Sequence, residues 1–212
     1  ALMTDTLTLT RPDDWHLHFR DGAMLEETVP ATARVFRRAI VMPNLTPPVT
    51  TVALAEAYRE RILAAIPAGV DFEPLMVLYL TDQTPVEEIE RAAQSPFVHA
   101  FKLYPAGATT NSDSGVTNPA RIHHLYEALE KHDLPFLVHG EVTEPEIDIF
   151  DRERVFIDRY LNDIRERFPA LRIVFEHVTT SEGVDFVREG GDLTAATVAP
   201  QHLLMNRNDL LV

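Results

Sequence analysis

Short apolar runs alternate with helical-period segments along the whole chain. That alternation is the signature of βα units built around a parallel sheet. Strands read near 14–19, 38–43, 74–80, 98–104, 135–140, 172–178 and 194–199. Helices read near 23–36, 50–66, 85–95, 118–132, 148–168 and 181–190, with a short one after Asn206. The expected fold class is α/β, a (β/α)8 barrel of the TIM type, of which about seven strands are covered.

Several of these strands carry residues that can hold a metal. In Trp15-His16-Leu17-His18-Phe19 the two histidines are two apart, so both imidazoles point to one face of a strand. Lys102 lies in His99-Ala100-Phe101-Lys102-Leu103-Tyr104, His139 follows Phe136-Leu137-Val138, and His177 follows Ile173-Val174-Phe175-Glu176. In a β/α barrel the active site lies at the C-terminal strand ends, where these residues fall. A lone histidine at a strand end is more often a hydrogen-bonded core residue than a ligand. As a set, four imidazoles and an ammonium in one barrel mouth would repel or stay unsatisfied. They point instead to a two-metal hydrolytic site.

Lysine is an unusual ligand, because an ammonium cannot coordinate. Flanked by Phe101, Leu103 and Tyr104, Lys102 would lose solvation and its pKa would fall. The neutral amine can then take up CO2 as a carbamate, an anion with two oxygens that can bridge two metals. The competing reading is a lysine snorkelling from the strand end.

Composition narrows the classes. The 212 residues suffice for one domain with a sizeable core. With no cysteine, disulfides are excluded and any zinc must be held by N and O ligands, a usage that fits a reducing cytoplasm. The net charge of −14 argues against nucleic-acid binding. A small anionic substrate stays open, since metals and one arginine can reverse the field inside a cleft. No apolar run approaches the ~20 residues of a membrane span. Residues 1–5 lack the pattern of a signal peptide.

Local signals add detail. Thr84-Pro85-Val86-Glu87 reads as a helix start with Thr84 as cap, and Thr179 with Glu182 has capping-box spacing. Ile157, Tyr160, Leu161, Ile164 and Phe168 share one face of a long fifth helix closed by Pro169. The Gly/Ser/Thr-rich loop 105–115, longer than most βα loops, reads as an active-site lid rather than a passive surface loop. His99, His123, His124, His132 and His202 read as structural or solvated.

The wider context of these residues is similar to a known family. Arg11-Pro12-Asp13-Asp14-Trp15-His16-Leu17-His18-Phe19-Arg20-Asp21-Gly22 resembles the first metal motif of the amidohydrolase superfamily, and more narrowly of bacterial short-chain dihydroorotases. Val41-Met42-Pro43-Asn44-Leu45-Thr46-Pro47-Pro48-Val49 resembles the second strand and loop of that family. The segments Phe101–Ser112, Leu137–Glu141 and Phe175–Thr180 resemble its lysine strand with mobile loop and its remaining histidine strands.

The resemblance implies two zinc ions, with His16 and His18 on the more buried one and His139 and His177 on the second. Carbamylated Lys102 would bridge them. Arg20 and Asn44 would hold the substrate α-carboxylate, helped by the backbone beside Phe19, and Thr109 and Thr110 would close over it. His18 and His139 would also border the substrate. The implied reaction is the reversible, zinc-dependent cyclisation of N-carbamoyl-L-aspartate to dihydroorotate, in a cytoplasmic homodimer. The family's proton-shuttling aspartate ends an eighth strand, which is expected beyond residue 212. Residues 1–212 therefore read as a single barrel domain stopping before strand eight, unstable or inactive as a free polypeptide. Two alternatives stay open: another binuclear-zinc cyclic amidase, and a non-catalytic structural partner.

Overall fold

A computed structural model describes residues 6–211 of the chain. The expectation for the N-terminal residues 1–5 lies outside the described residues. Seven strands form one all-parallel sheet whose spatial order follows the chain. They are β1 Asp14–Leu17, β2 Arg38–Val41, β3 Glu73–Tyr79, β4 Val98–Leu103, β5 Phe136–Val138, β6 Ile173–Phe175 and β7 Thr194–Ala196. The crossovers carry α1 Leu25–Ala33, α2 Val52–Ala64, α3 Val86–Ala93, α4 His123–Lys131, α5 Arg152–Phe156 with α6 Asn162–Arg167, and α7 Ser181–Glu189. Two short helices follow β7, α8 Pro200–Leu204 and α9 Arg207–Leu211. The sheet curls into a half-barrel, as the βα alternation predicts. Among the described residues no helix is long and apolar enough to cross a membrane.

The period of two along each strand divides the apolar residues between two layers. Ala39, Val41, Met76, Leu78, Phe101, Leu103, Phe136, Val138, Ile173 and Phe175 face the helices and belong to the main core. Their alternates, Ile40, Met42, Leu75, Val77, Ala100 and Leu137, form a smaller cluster on the concave side, with Val174 packed against it. Continuing the same alternation, Lys102 follows Ala100, His139 follows Leu137 and Glu176 follows Val174 on the concave face. Ladder pairing sets Lys102 level with Leu137 and Val174, so His139 and Glu176 stand two residues further toward the C-terminal end of the sheet.

Three local expectations need correction. The hydroxyl of Thr84 accepts from the Thr81 N–H at 2.9 Å, so it closes a turn, and Pro85 stands as the cap of α3 without a side-chain bond. The buried Glu88 carboxylate of α3 instead accepts the Val52 N–H at 2.7 Å, which serves the start of α2. At α7 the cap is Thr180, accepting from the Gly183 N–H at 3.1 Å; Thr179 is held elsewhere, by Glu153. The fifth helix begins at Arg152, because Asp148 turns the chain by accepting the Phe150 N–H. It then runs through a π-helical turn, Ile157–Leu161. The widened turn keeps Phe156, Ile157, Leu161 and Ile164 all buried, so the expected apolar face survives.

Candidate active site

At the C-terminal end of the sheet four imidazoles come together. His16 Nε2 lies 3.1 Å from His18 Nε2, and His139 Nδ1 lies 3.1 Å from His177 Nε2. The pairs adjoin, with the His16 and His177 rings 5.2 Å apart between centroids. Thus β1, β5 and β6 each deliver histidine where sequence reasoning placed it. His177 reaches the cluster by a route that alternation alone does not give. Glu176 takes the inward position of its strand, and His177 is turned back toward the site by a φ of +42°. Few non-glycine residues adopt that region without support from their surroundings.

The support is visible. The His177 N–H donates to Thr197 Oγ1 at 2.8 Å. The next residues are gripped by the buried carboxylate of Glu153 in α5, which accepts from the N–H and hydroxyl groups of both Thr179 and Thr180. Gly183 is needed beneath it, since a Cβ there would stand 2.6 Å from Glu153 Oε1.

Lys102 stands beside the imidazoles, wholly buried, and its Nζ has no hydrogen-bond partner. It lies 4.0 Å from Glu176 Oε2 and 5.2 Å from the centre of the Tyr104 ring. Burial pushes its pKa well below the ordinary lysine value, which makes its proton easier to lose. The histidines are pushed the same way. Burial first, then the positive charge at Lys102, lowers His16 and His177. Burial followed by the Arg20 guanidinium brings His18 down to about 4. Neutral imidazoles with free lone pairs are the form that binds metal.

Whether these residues suit a metal can be judged from the donors themselves. Among the described residues no three His, Cys, Asp or Glu side chains surround a common point as a ready-made cage. The ring nitrogens meet in pairs, the carboxylates of Glu176 and Glu141 are each engaged by one imidazole, and a further anion is one that Lys102 would supply as a carbamate. An unpartnered buried amine facing two imidazole pairs fits that role. It is hard to account for as a packing residue, because a buried polar atom without a partner costs roughly 1–3 kcal/mol.

Arg20 also has a left-handed backbone, φ +63°, and its buried Nη1 has no partner. Its carbonyl is anchored by the Tyr58 hydroxyl at 2.5 Å. The side chain of Phe19 packs in the outer core against Phe72, so only its backbone is left to face the site. Asn44 is buried and fully engaged: its Nδ2 donates to the Thr110 carbonyl at 2.9 Å, and its Oδ1 accepts from Tyr104 at 3.1 Å. Asn111 in turn donates to the Asn44 carbonyl at 3.1 Å. The loop 105–115 is thereby folded down onto β2, with Ser112 buried beneath it and Thr109 and Thr110 exposed.

Two carboxylates in the cluster were not singled out by sequence reasoning. Glu176 Oε2 accepts from His16 Nδ1, and Glu141 Oε2 accepts from His139 Nε2 at 2.5 Å. The available signal was a charged residue within an otherwise apolar strand end, Phe175-Glu176-His177, and the spacing of two in His139-Gly140-Glu141.

Residues 13–182 match the amidohydrolase family. The chain belongs to the amidohydrolase family. It is 81% identical over 210 residues to a dihydroorotase of Alcanivorax borkumensis, covering 99% of this chain and 61% of that protein. It is 63% identical to one of Idiomarina loihiensis, covering 98% and 60%. The chain thus spans about three fifths of the length of these relatives. Among solved structures, dihydroorotase from Campylobacter jejuni superposes with a TM-score of 0.85 at 36% identity, covering 95% of this chain and 57% of that one. The Saccharomyces cerevisiae dihydroorotase, in complex with 5-fluoroorotic acid, also gives 0.85, at 29% identity and covering 94% and 58%. The expected barrel-type amidohydrolase fold is therefore borne out.

Proposed function

We propose that this amidohydrolase chain carries the greater part of a dihydroorotase active site. The reaction is the reversible cyclisation of N-carbamoyl-L-aspartate to (S)-dihydroorotate and water, a step in making pyrimidines. The observation that carries the reading is the buried, unpartnered Lys102 amine beside two facing imidazole pairs. The 81% identical relative supplies the substrate. The 5-fluoroorotic acid held by the yeast relative, a ring bearing a carboxylate, is of the same chemical class.

Two zinc ions would be held by His16 with His18 and by His139 with His177, with carbamylated Lys102 between them. When bound, such ions acidify a water and polarise the amide carbonyl. The chain's own residues do the rest. The Lys102 nitrogen attacks CO2 and gives up its proton, which desolvation has already made easy to lose. Arg20, with a free buried Nη1, takes the substrate carboxylate in the two-pronged manner of guanidinium. Asn44 joins it by exchanging the Thr110 carbonyl for the substrate, so that the 105–115 loop lifts to admit substrate and returns with Thr109 and Thr110 over it. Proton transfer to the leaving nitrogen is assigned to the aspartate that the resemblance places on an eighth strand, outside residues 1–212. A homodimer in the cytoplasm is part of the same reading.

The test is zinc content, intact mass and dihydroorotate turnover measured together. Two zincs per chain and a mass increase of one CO2 on Lys102 are expected, with turnover wherever the eighth-strand aspartate is also present. Lys102→Ala should lower kcat by at least 10²-fold and shed zinc, on the scale of losing a major electrostatic contributor. Metal-free, inactive protein that takes up no zinc would favour the structural-partner alternative.

A further inference from the structure

Two of the four histidines are each held by a carboxylate, and the carboxylates grip opposite nitrogens. Glu176, wholly buried, accepts from Nδ1 of His16. Glu141, partly exposed, accepts from Nε2 of His139. A neutral imidazole has one N–H and one lone pair, so a carboxylate on one nitrogen fixes the lone pair on the other. The consequence is that His16 presents Nε2 and His139 presents Nδ1. Those are the nitrogens that face His18 and His177, at 3.1 Å in each pair. Among the described residues no carboxylate hydrogen-bonds His18 or His177, and their Nε2 atoms complete the two pairs.

We propose that Glu176 and Glu141 are positioning residues that impose opposite tautomers on His16 and His139, and so assign one ring nitrogen of each to its own metal. The proposal rests on the zinc reading above.

Glu176 does more than hold one ring. Its Oε2 also accepts from the Thr197 hydroxyl at 3.1 Å, and Thr197 Oγ1 accepts the His177 N–H at 2.8 Å. One carboxylate of β6 therefore ties the His16 ring of β1 and, through Thr197 after β7, the turned backbone of His177. Glu141 serves His139 alone. The two carboxylates thus differ in reach, and their substitution should differ in kind. In water the Nε2–H form of a histidine prevails, so His139 is held in the usual tautomer and His16 in the unusual one. That makes His16 the sharper witness.

The experiment reads ring tautomers by two-bond ¹⁵N–¹H spectra of the chelator-treated protein, and zinc affinity by competition with a chromophoric chelator. In the unsubstituted protein His16 should carry its proton on Nδ1 and His139 on Nε2. The same tautomer in both rings overturns the proposal. Glu176→Gln should return His16 toward the Nε2–H form and weaken one zinc 10–100-fold, the scale of lost outer-shell partners. Glu141→Gln should weaken the other zinc and leave His16 unchanged. Substitutions that alter neither tautomer nor zinc affinity overturn the assignment. If Glu176→Gln does not fold, the unsubstituted spectrum and Glu141→Gln still decide. Failure of the unsubstituted protein to take up any zinc refutes the metal reading instead, and the tautomer spectrum separates that result from failure of the positioning claim.

Discussion

Strands β4 and β7 sit in the same parallel sheet, but within residues 6–211 β4 is bonded on both sides and β7 on one, and their surroundings are opposite. From Val98 to Leu103 only His99 escapes full burial. In β7, Ala195 and Ala196 are exposed, and Leu203, Leu204, Leu210 and Leu211 of the helices after it are 69–82% exposed. Backbone ladders are common to both regions, and each hydrogen bond contributes only about 1 kcal/mol net. The difference lies in side-chain burial, at roughly 25 cal/mol per Å² of apolar surface. The site draws on both environments. The dry region around β4 lowers the pKa of the Lys102 amine. The region after β7 contributes a half-exposed hydroxyl, Thr197, that acts only by hydrogen bonding.

That contrast can be broken most directly by truncating a side chain in each region. Phe136→Ala, in the packed middle, should cost about 3–5 kcal/mol of stability, whereas Leu203→Ala should stay within about 0.5 kcal/mol. Urea midpoints at constant m-value measure both, and similar costs would erase the distinction. Next comes the polar clamp that joins the two regions. Glu153→Ala removes four hydrogen bonds to Thr179 and Thr180 and should cost about 2–3 kcal/mol. It should also free the backbone at His177, seen as faster amide exchange at 177–180 than in the β4 strand.

The smallest effect concerns the ion pair at the β1–β2 seam. Arg38 grips Asp13 with Nη2 at 2.6 Å and holds its carboxyl below the usual 3.8. The pair is partly solvated, with the Arg38 side chain 43% exposed, so solvent screens it and its contribution is small. Asp13 has a lowered folded-state pKa, so its stabilisation is present above about pH 4 and is lost as pH falls through the lowered value. Asp13→Asn should therefore cost most at pH 7 and little at pH 2. A penalty that persists unchanged in acid would show that charge is not its source.

The same contrast explains what was legible in the sequence. The strands and their order follow from apolar runs in βα alternation. The inward aim of His16, His18, Lys102 and His139 follows from the period of two. What escaped was set by long-range contacts or by single-residue geometry. His177 is turned inward by a positive φ that no spacing announces, held by Glu153 from another element. In the adjacent pair Thr179-Thr180 either hydroxyl had the chemistry to cap α7, and the cap fell to Thr180 although Glu153 holds both hydroxyls. The occupation of Asn44 by Thr110, 66 residues away, depends on how the 105–115 loop lies. The role of Glu176 was not announced by its surroundings in the sequence, because its partner lies 160 residues upstream.

That 160-residue span has a consequence for how the protein is made. Every strand pairs with its immediate predecessor, so the sheet can assemble in step with synthesis from the N-terminus. The His16–Glu176 bond is different, because it links the first strand to the sixth. Closing a loop of that length costs on the order of 4–5 kcal/mol in chain entropy, which the intervening strand pairs absorb stepwise before the two residues meet. Until β6 has emerged from the ribosome, the His16 ring has no Glu176 to set its orientation. A nascent chain with five strands in place holds Lys102, His16, His18 and His139, but the His16 ring gains its Glu176 partner only when β6 is added.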